Sequence, residues 1–253
     1  MKHKISVLLF TLSITVICLF FYESNWFLTL LISFGVIFFF ILSFGVLFMK
    51  FNYFLRSVNR LDNDFVLLTF DDGPDPIKTP LILDILAKHN ITAIFFMVGD
   101  RAEKDPKLVQ RVVTEGHLIG NHSYAHNNFM SLFTTRKLRA EIQKGQKVLE
   151  QLSQRKILFF RPPIGYTNPT YARVLKEFKL TNFGWSLRSY DSVYTAPEKL
   201  LERLNSKVKN GDIVLLHDNL QVTLEALEQF ITTSKANGIK FANGETIKTI
   251  KHA

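Results

Sequence analysis

The first fifth of the chain follows a different hydrophobic pattern from the rest. Residues 5–22 and 26–49 are two stretches without charge, each near the roughly 20 residues that span a hydrocarbon core. Only Glu23-Ser24-Asn25 separates them. One helix across both would be about twice as long as a core of roughly 30 Å, so the pattern predicts a tight helical hairpin. From Phe65 onward, short apolar runs alternate with amphipathic stretches, as βα units do. The predicted strands are FVLLTF (65–70), TAIFFMV (92–98), HLIGNH (117–122), ILFFR (157–161), NFGWSL (182–187), DIVLLH (212–217) and GIKFA (238–242). Apolar residues at three- and four-residue spacing predict helices over 80–88, 106–114, 135–152, 169–178, 197–208 and 222–235. Strands that are apolar throughout, separated by helices, imply a parallel sheet covered on both faces. The length from 65 to 253 suits a barrel or a doubly wound sheet. The domains are therefore read as a 1–50 membrane anchor, a polar and basic 51–64 linker and a 65–253 α/β domain.

Charge then gives the hairpin an expected direction. Lys2 and Lys4 precede it, Lys50, Arg56 and Arg60 follow it, and the short turn carries neither Lys nor Arg. Positive flanks stay on the cytoplasmic side, so both ends, and the α/β domain with them, are expected there. The competing reading takes the first segment as a signal peptide and puts the domain outside, but no small-x-small cleavage site follows that segment. The formal net charge of +9 suits an anionic surface or an anionic lipid-linked substrate, and equally suits mere solubility. The one cysteine, Cys18, lies within the first apolar stretch. This excludes an intramolecular disulfide or a cysteine-rich metal site, so any metal must be held by His, Asp or Glu.

Active sites of parallel α/β folds form at the carboxyl ends of strands. Four polar groups sit at such ends: Asp71-Asp72, HSYAH (122–126), RPPIG (161–165) and His217-Asp218. His122 and His126, four apart, can present both imidazoles to one metal, although the same spacing also occurs on ordinary polar surfaces. Adjacent residues on a strand face opposite ways, so Asp71 and Asp72 are expected to differ in task, one as metal ligand and one as general base. Asp-Asp-Gly-Pro is also good turn chemistry on its own. Arg161 is expected to point into the same mouth and orient a carboxylate. His217 is either a core histidine or an acid/base group in a dry site, with Asp191 as its expected partner.

Five motifs in order, TFDDGP (69–74), HSYAH (122–126), RPPIG (161–165), WSLRSYD (185–191) and LLH (215–217), resemble those of the polysaccharide deacetylases of carbohydrate esterase family 4, the NodB homology domain. The resemblance runs from about Val66 to the C-terminus. It implies a distorted (β/α) barrel of about seven units and metal-assisted removal of an acyl group from an amino sugar. By the same resemblance, Asp71 is the catalytic base, and Asp72, His122 and His126 are ligands of a divalent metal, usually zinc. His217 is then the general acid, Arg161 orients the base, and Asp191 pairs with the histidine. The implied substrate pocket comprises Pro163, Ile164, Gly165, Trp185 and Leu215, with Trp185 either lining it or lying in the core within a strand.

Two positions depart from the family pattern: Ile164 stands where an aromatic is usual, and Ser192 where a tryptophan is usual. Both departures point to an altered sugar pocket around unchanged chemistry. The expected partners are an acylated amino-sugar glycan or glycolipid and the membrane, with no nucleic acid and no protein partner. The alternative is a catalytically silent glycan-binding protein that keeps the fold.

Overall fold

In the computed structural model, which describes residues 2–252, two antiparallel helices lead the chain: α1, Lys2–Phe21, and α2, Phe27–Leu47. Only Ile17 and Gly45 within them are buried, most of their exposed side chains are apolar, and both helices are long and apolar enough to cross a membrane. The domain follows as β1 (Ser57–Val58), β2 (Phe65–Asp71), α3 (Lys78–Lys88), β3 (Ile94–Met97), α4 (Gly99–Lys104) and α5 (Pro106–Thr114). After these come β4 (Leu118–Asn121), α6 (Thr135–Ser153), β5 (Phe159–Phe160), α7 (Pro169–Glu177), β6 (Thr181–Phe183) and β7 (Leu187–Arg188). The chain closes with α8 (Pro197–Lys207), β8 (Ile213–His217), α9 (Gln221–Ala236) and β9 (Lys240–Phe241).

All named strands pair in parallel, in the order β1-β6-β5-β4-β3-β2-β8-β7, with β9 beside β2. Helices surround this curved sheet, which is a distorted (β/α) barrel. β2 shows why the site forms where it does. Val66, Leu68 and Phe70 join the cluster packed under the helices, while Phe65 and Leu67 join the interior cluster with Phe96, Phe183 and Ile213. The two-residue period therefore carries Thr69 and Asp71 onto the interior face, at its carboxyl end.

Three elements differ from the sequence expectation. The 51–64 segment carries β1, which extends the sheet beside β6, so its middle belongs to the folded domain. The expected strand over 182–187 is broken into β6 and β7 at Gly184–Ser186. Here Gly184 donates its N–H to Val58 at 2.8 Å, and its carbonyl accepts a 2.8 Å bond from Arg161. Trp185 leaves the sheet as a result. The helix α4 is an addition, too short for periodicity to announce.

Candidate active site

The interior face of β2 meets the end of β8 in register, Asp71 opposite His217. Across the barrel, Arg161 leaves β5 and is fully buried. Its guanidinium donates to Asp71 Oδ1 at 2.6 Å, the Thr69 hydroxyl at 2.8 Å, the Phe183 carbonyl at 3.1 Å and the Gly184 carbonyl at 2.8 Å. The Thr69 hydroxyl in turn donates a hydrogen bond to the Val214 carbonyl at 2.7 Å. The Arg161 plane also lies 4.1 Å from the centre of the Phe96 ring, the geometry of a cation over an aromatic face. Every contact fixes the arginine, and the arginine fixes Asp71.

Asp72 sits on the turn, in the left-handed region at φ 74, which swings its carboxylate away from Asp71. His126 Nε2 lies 2.9 Å and His122 Nε2 3.5 Å from Asp72 Oδ1. His122 Nδ1 is 2.7 Å from the Arg161 carbonyl. A carbonyl only accepts, so Nδ1 carries the proton and Nε2 turns its lone pair toward Asp72. Burial holds His122 below the usual histidine range, against the pull of Asp71 and Asp72. Burial also opposes the charge on Asp72, but the neighbouring His126, His122 and His217 keep that carboxyl well below the usual range.

These three side chains fit a divalent metal. Among the described residues, Asp72 Oδ1 is buried without a hydrogen-bond donor, and the three donor atoms converge within 4.8 Å of one another. Two imidazoles and one carboxylate are a known donor set for zinc with a fourth position left open. Asp71 stands just outside the set, with Oδ2 3.8 Å from His122 Nε2.

His217 Nδ1 is 2.8 Å from Asp191 Oδ1. The other oxygen of Asp191 accepts the His217 backbone N–H at 2.7 Å and the Thr223 hydroxyl at 2.8 Å. Burial works against the imidazolium, but the Asp191 bond and charge, with Asp71 and Asp72, raise His217 to about 9. Asp191 in turn is held below its ordinary value by the histidine, in spite of its burial.

A cavity of about 170 Å³ joins Asp71, Asp72, His122, His126 and His217 to Ile164, Gly165, Trp185, Arg188, Ser192 and Leu215. At roughly 30 Å³ per water, it has room for an acylamino group and leaves the rest of a glycan in the open. Trp185 packs against the interior cluster and also lines the cavity. Ile164 and Ser192, where the usual aromatics are missing, line it too, and Pro163 is buried behind them. Non-glycine residues with positive φ gather around this cavity: Asp72, Ser123, His126, Ile164 and Tyr190. Such backbone is costly and concentrates where function over-determines it. The largest concavity, about 1030 Å³, lies elsewhere, along residues 50–63 and α7, and brings no such set of titratable groups together.

Asp218 departs from its expected place at the mouth. It lies under the Asp71–Asp75 turn, fully buried, accepting the Thr79 hydroxyl at 2.6 Å. Its carboxyl fills the space that a Cβ on Gly73 would need. Thr79 also accepts the Asp75 N–H at 2.8 Å, so Asp218 supports the turn from below. Only a buried acid directly after the strand signals this in the sequence.

Comparisons with known proteins agree with this geometry. A family model described as polysaccharide deacetylase matches residues 59–183. A peptidoglycan-N-acetylglucosamine deacetylase of Bacillus cereus is 35% identical over 192 residues, 74% of this chain and 89% of the relative. Among solved structures, the Bc1960 peptidoglycan N-acetylglucosamine deacetylase superposes with a TM-score of 0.70 at 32% identity, over 74% of this chain and 90% of its own. A CE4 family pseudoenzyme from Bacillus anthracis superposes at 0.69 and 29% identity, over 74% and 67%.

Proposed function

Since the chain belongs to the polysaccharide deacetylase family, we propose that it is a membrane-anchored, metal-dependent hydrolase that removes the N-acyl group, most simply acetyl, from an amino sugar in a glycan or glycolipid. The observation that carries this reading is the pairing of Asp71, bound by an Arg161 that is itself held at four points, with a separate Asp72-His122-His126 ligand set across one small cavity. A divalent cation held by Asp72, His122 and His126, zinc by the donor set, would supply Lewis acidity to the amide carbonyl and to the attacking water.

The chain's own residues do the rest. Asp71, fixed by Arg161, accepts the proton of the attacking water. The backbone N–H of Ile164, a residue that lines the cavity, would help carry the developing charge on the carbonyl oxygen. His217, held as imidazolium by Asp191, donates its proton to the departing amine. Trp185, Ile164 and Leu215 surround the acyl group and limit access of bulk water. General acid and general base steps of this kind contribute roughly 10²- to 10⁴-fold each.

A silent scaffold would have no use for this arrangement, in which base, acid and ligand set are all present. In this reading the two apolar helices serve as the anchor, and the Lys and Arg distribution favours the cytoplasmic face for the catalytic domain. There the accessible acylated amino sugars are lipid-linked. Release of free amine from an N-acetylglucosamine oligosaccharide, lost on chelation and restored by added divalent metal, tests the activity. Persistent absence of amine release from a metal-replete protein sinks it.

A further inference from the structure

The membrane-anchored reading leaves open how the site faces the bilayer, and the contacts at the end of α2 bear on that. α2 has 21 residues, about 31 Å of helix, which matches a hydrocarbon core of roughly 30 Å. Its last turn therefore lies at the boundary between acyl chains and headgroups. That turn is built into the catalytic domain. The Val46 carbonyl accepts the Thr167 N–H at 3.2 Å, and the Gly45 carbonyl accepts the Thr167 hydroxyl at 3.4 Å. The Tyr53 ring covers Gly45 so closely that a Cβ would not fit. At this same open end of the hairpin, where α1 begins, the Lys2 ammonium donates to the Phe51 carbonyl, and the His3 N–H donates to the Tyr53 carbonyl.

Thr167 lies two residues past Gly165 and three past Ile164, both walls of the catalytic cavity. At no more than about 3.6 Å per residue, that wall is within roughly 11 Å of Thr167, which bonds the helix end. The next residue, Asn168, reaches from the same loop to the Ser131 carbonyl at 2.6 Å. The segment it holds, residues 127–133, follows the metal-ligating motif. It exposes Phe129 at 70% and Leu132 at 79%. Exposed Arg136 and Lys137 follow directly, with the Lys137 ammonium 3.9 Å from the Phe133 ring centre. Large apolar side chains beside basic ones, continuous with a spanning helix, form the composition of a membrane-interface contact.

We propose that Phe129 and Leu132 form a second contact with the lipid surface, which together with the end of α2 fixes the catalytic mouth against the bilayer. The site then works on amino sugars held close to the membrane, such as the first sugars of a lipid-linked saccharide, and reaches distant polymer poorly. This inference rests on the anchored reading, and the test separates the two.

The full chain with Cys18→Ser receives one cysteine at a time, by Leu132→Cys, Ile41→Cys or Asn237→Cys. Each variant is labelled with an environment-sensitive fluorophore and reconstituted in vesicles containing nitroxide-labelled phospholipid. Leu132 is 79% exposed and Ile41 40%, so neither change opens the core; Asn237 caps α9, which packs on α3 and α8. The expected result is blue-shifted, lipid-quenched emission at 132 and 41, with aqueous emission at 237. Quenching at 41 with aqueous emission at 132 overturns the inference and leaves the anchor standing. A probe at 132 shielded from both lipid nitroxide and aqueous iodide overturns it in favour of a protein partner or second copy. An unquenched probe at 41 removes the anchor and the inference together.

Discussion

Arg161 and Asp71 form an ion pair at 2.6 Å, with the arginine fully out of solvent and the aspartate nearly so. Such pairs gain little over well-packed apolar residues, yet removing one partner costs about 3–5 kcal/mol because the other charge is left buried alone. Retention of this pair at the carboxyl end of β2 points to a task beyond stability. Arg161→Met should lower unfolding stability by about that amount and abolish turnover. Arg161→Lys, which keeps the charge but cannot make four fixed bonds, should be the more stable of the two and still lose most of the turnover. Thermal melts and steady-state rates on the same preparations check both; full activity in the lysine variant removes the clamp from the account.

The imidazolium of His217 persists to about pH 9 because of Asp191. A general acid works only while protonated, so the alkaline limb of kcat/KM should fall near pH 9. Asp191→Asn withdraws the charge that raises the histidine, and the limb should move toward its ordinary value of about 6.5. Activity at pH 8 must then fall far more than activity at pH 6. A uniform loss across the profile would mean that Asp191 only holds the fold.

Asp218 titrates in the opposite sense. Burial first, and then the Asp72 charge, raise its carboxyl to about 7 against the Thr79 hydrogen bond. The folded value exceeds the unfolded one of 3.8. Below about pH 4 both states hold the proton and nothing is lost. Between there and about 7 the unfolded state ionises first, so the stability cost grows and is complete above that range. Asp218→Asn should therefore raise the melting temperature at pH 7, by a gain on the order of 1–3 kcal/mol, and change little at pH 4. Equal shifts at both values contradict the assignment.

The Lys and Arg distribution around the hairpin predicts that a reporter fused after Ala253 is active when it requires the cytoplasm and silent when it requires export. The opposite pattern would move the accessible substrate from lipid-linked saccharide to wall or surface glycan, with the chemistry unchanged.

Much of the site was legible because each chemical group ends an apolar run. Phe65 to Phe70 announces a buried strand, and a buried strand in a parallel sheet delivers Asp71 to the mouth. Bonds between distant segments were not legible. Nothing periodic announces that the Gly184 carbonyl turns out of line to meet Arg161, so periodicity alone runs one strand through it and leaves Trp185 between core and pocket. Asp218 was read at the mouth because it adjoins His217, although the next residue on a strand faces the other way. The link from Thr167 to Val46 joins residues 121 positions apart, and only the folded chain brings them together.

The central claim is the division of labour between the two adjacent aspartates, with Asp72 holding the metal and Asp71 taking the proton. Metal content and acetate release, measured together on the purified full chain, on Asp71→Asn and on Asp72→Asn with an acetylated glucosamine oligosaccharide, test it most directly. The account predicts one bound divalent ion and steady acetate release for the unaltered chain. It predicts the same ion with turnover lower by at least roughly 10²-fold for Asp71→Asn, and weakened metal binding for Asp72→Asn. Undiminished acetate release by Asp71→Asn, or full metal retention by Asp72→Asn, would contradict it.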